Sequence, residues 1–146
     1  MFIVVFAVAV MLVGAGLGMA ADKEVIASPD APKAIGPYSQ AIRYGNMVFL
    51  SGQIPIDPKT GELSKGTIEE QTKLVFSKIE LLLKESGSSL NKVLQVRIFL
   101  TDIDLWDTVN KVYAEIFADH KPARCVIPGG KLHYGSLLEV EAIAFV

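Results

Sequence analysis

Hydrophobic and polar residues alternate with a period of two in several short runs that follow residue 22. That period is typical of β-strands, in which successive side chains point to opposite faces of a sheet. Turn-forming residues separate the runs, and Tyr44-Gly45-Asn46 has the composition of a hairpin turn. Strands are predicted at Lys23–Ile26, Tyr38–Arg43, Met47–Ile54 and Val93–Leu100. Two further runs, around Arg124 and Glu139, predict a C-terminal hairpin.

Two longer stretches have the period of an amphipathic helix. The first is predicted to begin at Thr67, which forms a capping box with Glu70, and to end before Gly87. The second is predicted to begin near Asp102 or Asp104, since either side chain can cap a helix. The predicted order of elements is therefore β-ββ-α-β-α-ββ.

This order predicts an α+β protein in which two helices cover one face of a mixed sheet. Each helix has only one apolar stripe, so neither can cover a second sheet. The other face of the sheet still carries apolar residues. We therefore expect other copies of the chain to bury that face, and we predict a homo-oligomer.

Length and composition narrow the class of protein. The chain has 146 residues, which is the length of one domain. Its net charge of −2 and pI of about 5.7 lack the basic character of nucleic-acid-binding domains, so no nucleic-acid partner is expected. Cys125 is the one cysteine, which rules out an internal disulfide. No metal-site spacing occurs, and we expect no metal.

Residues 1–21 have no charged side chain and consist of an apolar core followed by small residues. Gly18 and Ala20 fit the small-residue positions of a signal-peptidase site, and cleavage after Ala21 fits as well. The run is also long enough to span a bilayer, so an uncleaved membrane anchor remains the alternative. In both cases we expect residues 22–146 to form a single exported domain, either periplasmic or secreted.

Charged residues in the last two runs are candidates for chemistry. Arg124 opens one apolar run, and Glu139 and Glu141 interrupt the next. Packing gives no reason for them, because burying an unpaired charge is costly. A site that binds a small carboxylate and then moves a proton needs both residue types. A salt-bridged, half-exposed sheet edge explains the same pattern, so both interpretations stay open at this point.

Three other places hold polar groups that a ligand could contact. Tyr38 follows a glycine–proline turn, which puts its hydroxyl at the mouth of a strand. Ser51 and Gly52 end an apolar strand, where a hydroxyl and a backbone amide could bind a carboxylate. Asn110 lies inside a helix, although asparagine is a poor helix former. An ordinary turn, an edge bulge and a solvated helix face are the respective alternatives.

Taken together, these residues resemble the RidA family, also called YjgF or L-PSP endoribonuclease-like. The resemblance covers nearly all of residues 24–146. The segments that carry it are Ala34–Ala41, Gly45-Asn46, Ser51–Pro55, Asp57–Gly61, Asp107–Asn110 with Tyr113 and Phe117, Pro122–Arg124 and Glu139–Ala144.

The resemblance implies a chorismate-mutase-like fold and a barrel-like homotrimer with clefts between subunits. It also implies a hydrolase, similar to 2-iminobutanoate/2-iminopropanoate deaminase, that needs no cofactor. Such an enzyme converts small enamine and imine carboxylates, such as 2-aminoacrylate and 2-iminopropionate, to a 2-keto acid and ammonia. By this resemblance Arg124 binds the substrate carboxylate, and Glu139 positions or protonates the reacting centre. The other matching cleft positions are Tyr38, Ser51, Gly52 and Asn110.

The sequence departs from the family pattern beside Arg124. Many members have a cysteine two residues after the arginine, whereas this chain has Val126 there and Cys125 on the opposite side of the strand. Pro128 and the two glycines after it predict a bulge or a broken edge. These departures favour an alternative function, a catalytically weak protein that holds small carboxylates or protects against stress. The acidic pI opposes a single-strand endoribonuclease, the activity in the older family name.

Overall fold

The computed structural model of the protein describes residues 22–146. The predicted signal peptide or anchor, residues 1–21, lies outside the described residues. Within residues 22–146, no helix combines the length and the apolar character needed to cross a membrane.

Residues 22–146 contain six strands, numbered in chain order, which form one mixed sheet. They are β1 (Lys23–Ile26), β2 (Ala41–Tyr44), β3 (Met47–Gln53), β4 (Val93–Leu100), β5 (Ala123–Pro128) and β6 (Leu138–Phe145). Their order across the sheet is β1-β2-β3-β6-β4-β5. Only β4 and β5 pair in parallel, and the other neighbours are antiparallel.

Two α-helices in the described part of the chain, α1 (Ile68–Glu85) and α2 (Trp106–Phe117), pack on the same face of the sheet. Thr67 and Glu70 form the predicted capping box, in which each side chain accepts a hydrogen bond from the other residue's backbone N–H. Gly87 follows the first helix with φ 76°, a conformation that glycine adopts without a steric cost. Asp102 caps a 3₁₀ turn just before α2 by accepting a hydrogen bond from the backbone N–H of Asp104, 2.9 Å away.

The core lies between the helices and one face of the sheet. Alternate residues of strand β6 point to opposite faces of the sheet. Its even-numbered residues from Leu138 to Ala144 are buried in the core, and its glutamates are half-buried on the other face. Aromatic rings join the helices, with Phe76 of α1 packed edge-to-face against Tyr113 and Phe117 of α2 at centroid distances of 5.7 and 5.6 Å. The predicted α+β class, with two helices on one face, is confirmed.

The face without helices, called here the open face, carries exposed apolar side chains. Val25, Phe49 and Phe145 are 57%, 43% and 36% exposed. Arg97 and Glu141 lie opposite each other on this face and form an ion pair at 2.5 Å. Glu141 therefore belongs to a salt bridge on the sheet, as the interpretation of a salt-bridged, half-exposed sheet predicted.

The predicted C-terminal hairpin is wrong, because β4 lies between β5 and β6. Strand β6 takes a central position, where both of its edges find hydrogen-bond partners, and β5 returns from α2 to the outer edge. The predicted bulge or broken edge does not occur within β5, which stays in register up to the pair Leu100–Pro128. The strand ends at Pro128, before the two glycines. An edge strand tolerates a residue that has no N–H. The irregular pairing lies instead between Leu50 and Gln53 of β3.

Candidate active site

A cavity of about 430 Å³ opens where β3 ends, and we call it the β3 cavity. It lies between the end of this strand and the loop that precedes β2. Four of the predicted site residues line it, namely Tyr38, Ser51, Gly52 and Glu139.

Ser51 holds two segments of the β3 cavity wall together. Its hydroxyl donates a hydrogen bond to the carbonyl of Ser39 at 2.7 Å, and its backbone N–H donates to the carbonyl of Gln40 at 3.1 Å. Because the hydroxyl proton is already used, only the oxygen lone pairs of Ser51 remain for a ligand.

Tyr38 lies at the mouth of the same cavity and is 47% exposed. Its hydroxyl accepts a hydrogen bond from the backbone N–H of Ile35 at 3.3 Å, and its own backbone N–H donates to the carbonyl of Gly36 at 2.8 Å. These local bonds fix the ring, and they leave the hydroxyl proton available for a ligand.

Glu139 lies against Gly52. A Cβ atom built on Gly52 would come within 2.9 Å of Cδ of Glu139, and closer still to its carboxylate oxygen. A glycine is therefore required at this position if the carboxylate is to keep its place. No lysine, arginine or histidine within residues 22–146 forms an ion pair with Glu139.

A second cavity of about 390 Å³ lies beside the C-terminal end of α2, and we call it the α2 cavity. It is lined by the two remaining predicted residues, Asn110 and Arg124. The guanidinium carbon of Arg124 lies 4.5 Å from the ring centroid of Tyr113 and 5.9 Å from that of Trp106. Such cation–π contacts hold the guanidinium group without neutralising it. Among the described residues no carboxylate pairs with Arg124.

Tyr113 is one of the residues that carry the family resemblance, but no site role was predicted for it, because its spacing is that of ordinary helix packing. Its hydroxyl is buried and is the one such side-chain atom within residues 22–146 that has no hydrogen-bond partner. Burial raises the pKa of Tyr113 to about 12, although the positive charge of Arg124 acts in the opposite direction.

Lys78 was also missed by the sequence analysis, although it lines the β3 cavity. It lies on α1 in a row with Val75 and Leu82, a spacing that places it on the apolar stripe. A lysine on the apolar stripe of a helix is unusual, and this was the signal that could have identified Lys78. Its amine donates a hydrogen bond to the carbonyl of Ile54. Burial lowers the pKa of Lys78 from 10.5 to about 8.

Arg124 and Glu139 are not brought together within one chain. Arg124 pairs with Val96 on the helix-covered face, whereas Glu139 pairs with Phe99 and lies on the open face. The six predicted residues are therefore divided between two cavities of the same chain. Neither cavity contains a metal-ligand cluster, because residues 22–146 have no group of three or more His, Cys, Asp or Glu side chains that could hold an ion.

The six-stranded mixed sheet of residues 22–146, with two helices on one face, defines an α+β protein, and this fold matches solved structures of L-PSP endoribonuclease-like proteins. The family model described as endoribonuclease L-PSP matches residues 28–146. The chain belongs to this family, which is also named RidA or YjgF, as its resemblance predicted.

Comparison with individual proteins agrees with this assignment. A RutC family protein of Pyrococcus abyssi is 51% identical over 84% of this chain and 97% of the relative. The mouse protein named 2-iminobutanoate/2-iminopropanoate deaminase is 37% identical over 84% of this chain and 90% of the relative. The crystal structure of E. coli TdcF with bound serine has a TM-score of 0.80 and 35% identity, covering 84% of this chain and 98% of that one.

Proposed function

We propose that the protein is a hydrolytic deaminase of small, reactive enamine and imine carboxylates, of the 2-aminoacrylate and 2-iminopropionate type. The products are a 2-keto acid and ammonia. The observation that carries this proposal is the presence of a carboxylate-binding cation, Arg124, and a proton-transfer group, Glu139, each in an open cavity and each without an ion-pair partner among residues 22–146. The name of the mouse relative supports the substrate class.

The complete site, in this proposal, forms between two copies of the chain. The β3 cavity of one copy meets the α2 cavity of its neighbour, so that Glu139 and Arg124 act on one substrate. The exposed apolar residues of the open face support an assembly of this kind, since a neighbouring copy would bury them. A homotrimer is the assembly that we propose.

Arg124 begins the reaction by binding the substrate carboxylate through two guanidinium N–H groups. Its cation–π contacts with Tyr113 and Trp106 hold the guanidinium group in place before substrate arrives. This contact fixes the position of the substrate's C2 atom, and positioning of this kind lowers the entropic part of the barrier. Asn110 lines the same wall and can donate a hydrogen bond to the bound carboxylate.

Glu139 then transfers protons. Its protonated carboxyl gives a proton to C3 of the enamine, which turns the C=C–N unit into an iminium ion. The resulting carboxylate takes a proton from water as the water oxygen attacks C2. Glu139 next gives this proton to the amino nitrogen, and ammonia leaves as the C–N bond breaks. The C2 hydroxyl returns a proton to the Glu139 carboxylate and becomes the carbonyl of the 2-keto acid. The chain's own side chains supply each of these proton transfers.

The deciding experiment measures hydrolysis of freshly generated 2-iminopropionate by the full-length purified protein. We expect acceleration over buffer, and we expect Arg124→Ala to return the rate to that of buffer. Arg43→Ala is the matched control, since the Arg43 side chain is 40% exposed, lines neither cavity and lies 3.9 Å from Glu24. A wild-type rate equal to that of buffer would rule out the deaminase.

A second candidate function is a protein that binds small carboxylates without turnover. The serine bound in the E. coli relative favours this candidate, because serine carries a carboxylate but no reactive imine. Cys125 also faces away from Arg124 and adds nothing to the α2 cavity. Calorimetric binding of serine to a protein that has no deaminase activity would support this second function.

We also propose that residues 1–21 direct export of the domain. Sequencing the N-terminus of protein recovered from the periplasm or the medium tests this directly. A mature chain that starts at Ala21 or Asp22 is expected, whereas an intact Met1 in a membrane fraction would indicate an anchor instead.

A further inference from the structure

Lys78 is a buried amine on the wall of the β3 cavity. The residue is only 4% exposed, and its neighbours on the same stripe of α1 belong to the hydrophobic core. Lysine is rarely this buried unless its charge is paired. The fold of this chain therefore keeps a lysine where helix packing alone would favour an apolar residue.

The surroundings of Lys78 do not compensate a positive charge. Among the described residues its amine has one hydrogen-bond acceptor, the carbonyl of Ile54, although an ammonium group has three N–H donors. Within residues 22–146, no carboxylate lies at ion-pair distance from it. Desolvation therefore favours the neutral amine, which agrees with the lowered pKa of about 8. At pH 7 the share of neutral amine is on the order of a hundred times that of an ordinary lysine.

A neutral amine beside a cavity is a nucleophile. Lysines that are desolvated in this way form Schiff bases with carbonyl substrates. The β3 cavity also holds groups that can transfer the protons this reaction needs, namely the carboxyl of Glu139 and the hydroxyl of Tyr38. His133 and Tyr134 are the other titratable side chains on the rim, with Lys33 on the loop before β2.

We propose that Lys78 captures small carbonyl compounds, in particular 2-keto acids, as a Schiff base in the β3 cavity. The amine nitrogen attacks the carbonyl carbon and forms a C–N bond, while the carbonyl oxygen takes up a proton and the nitrogen loses one. The carbinolamine then loses its hydroxyl as water when the C–O bond breaks and the C=N bond forms. Amine and carbonyl compound thus give imine and water, and no oxidant or reductant takes part.

Capture by Lys78 goes beyond deamination, since Lys78 needs only a carbonyl compound and not an imine substrate. It also adds a relationship between the two reactions. A 2-keto acid is the product of the proposed deaminase, so the captured compound would occupy the space in which Glu139 acts. Keto acid would then slow turnover by a covalent and reversible route.

Reductive trapping tests the proposal. The full-length protein is incubated with pyruvate and cyanoborohydride at pH 8, and the adduct is located by intact mass and peptide mapping. We expect one reduced adduct per chain, on the peptide that contains Lys78. Lys78→Arg should lose the adduct, whereas Lys73→Arg should keep it, because Lys73 is an exposed lysine of the same helix.

The mapping needs no variant, so the test holds even if Lys78→Arg folds poorly. Labelling that spreads over the exposed lysines, or that is equal in wild type and Lys78→Arg, would overturn the proposal. Retention of pyruvate without a reducible adduct would overturn it as well. The deaminase assay is separate, so a protein that traps pyruvate but does not hydrolyse imine would support the capture and contradict only the proposed deaminase.

Discussion

Gly52 and Glu139 fit together so closely that a methyl group on Gly52 would lie within 2.9 Å of Cδ of Glu139. The clash falls on the end of a flexible side chain, so the glutamate can move aside at little cost to folding. Gly52→Ala should therefore leave the free energy of unfolding within about 1 kcal/mol of wild type. Deaminase activity should fall by roughly ten- to a hundred-fold, because the carboxylate is displaced from the reacting centre.

Gly129→Ala is the control for this substitution, since a Cβ there would meet nothing within 4 Å. Urea unfolding and the imine hydrolysis assay are measured on both variants. Full activity in Gly52→Ala would show that the present position of Glu139 is not needed for the reaction.

Two glutamates of β6 should respond very differently to the same substitution. Glu139→Gln removes the proposed proton-transfer group and should lower kcat of the proposed deaminase by roughly a hundred-fold or more. Glu141→Gln breaks an ion pair with Arg97 in which the arginine side chain is 46% exposed, a loss of less than about 1 kcal/mol that falls further at high salt. Steady-state kinetics of the two variants distinguish the roles. Equal effects on kcat would contradict the assignment of Glu139.

Mixing two inactive variants should restore activity if the site forms between copies. Arg124→Ala keeps Glu139, and Glu139→Gln keeps Arg124, so a mixed assembly contains some interfaces with both intact residues. Random mixing in a closed ring gives about a quarter of such interfaces. The two proteins are co-refolded and assayed against each variant refolded alone. Activity that stays at the level of the separate variants would contradict a shared site.

Lys78 makes the stability of the protein depend on pH. The pKa of Lys78 is about 8 in the folded protein and 10.5 in the unfolded chain. Its contribution to the free energy of unfolding is therefore fully present above pH 10.5 and is lost as the pH falls through 8. Relative to Lys78→Met, the wild-type free energy of unfolding should therefore rise by about 3 kcal/mol between pH 7 and pH 11. Urea unfolding of both proteins over this pH range measures the difference between their free energies of unfolding. The effects of other titrating groups cancel in this difference. A difference that does not change with pH would mean that Lys78 is not desolvated.

Tyr113 should give the stability of the protein the opposite dependence on pH. Its pKa is raised from 10 to about 12, so its contribution is fully present below pH 10 and is lost as pH rises through 12. Tyr113→Phe removes this alkaline loss and also an unpaired buried hydroxyl, so it should be neutral or stabilising by about 1 kcal/mol at pH 7. Thermal unfolding at pH 7 and pH 11 measures both effects. A clear loss of stability at pH 7 would indicate that the hydroxyl has a partner.

Local signals in the sequence were sufficient to predict the helices and strands, but not the order of the strands in the sheet. The Thr67 and Glu70 capping box, Gly87 and the alternation over Val93–Leu100 each depend on neighbours in sequence, and each is confirmed. The place of β6 between β3 and β4 depends on pairing between distant segments, which local periodicity does not encode.

The same limit applied to the candidate site. The residue types of Arg124 and Glu139 could be recognised from the sequence, but their placement on opposite faces follows from the register across β4. Lys78 was overlooked because its cavity is completed by a loop more than twenty positions earlier in the chain, around Ile54.

The division of the predicted residues between two cavities has a consequence for how the protein behaves on dilution. A single chain that needs a neighbour for catalysis has a specific activity that depends on its own concentration. Below the dissociation constant of the assembly, activity per chain should decline while the fold of each chain persists. At low concentrations the protein would then have little activity. Up to the dissociation constant of the assembly, activity would rise more steeply than the concentration of protein.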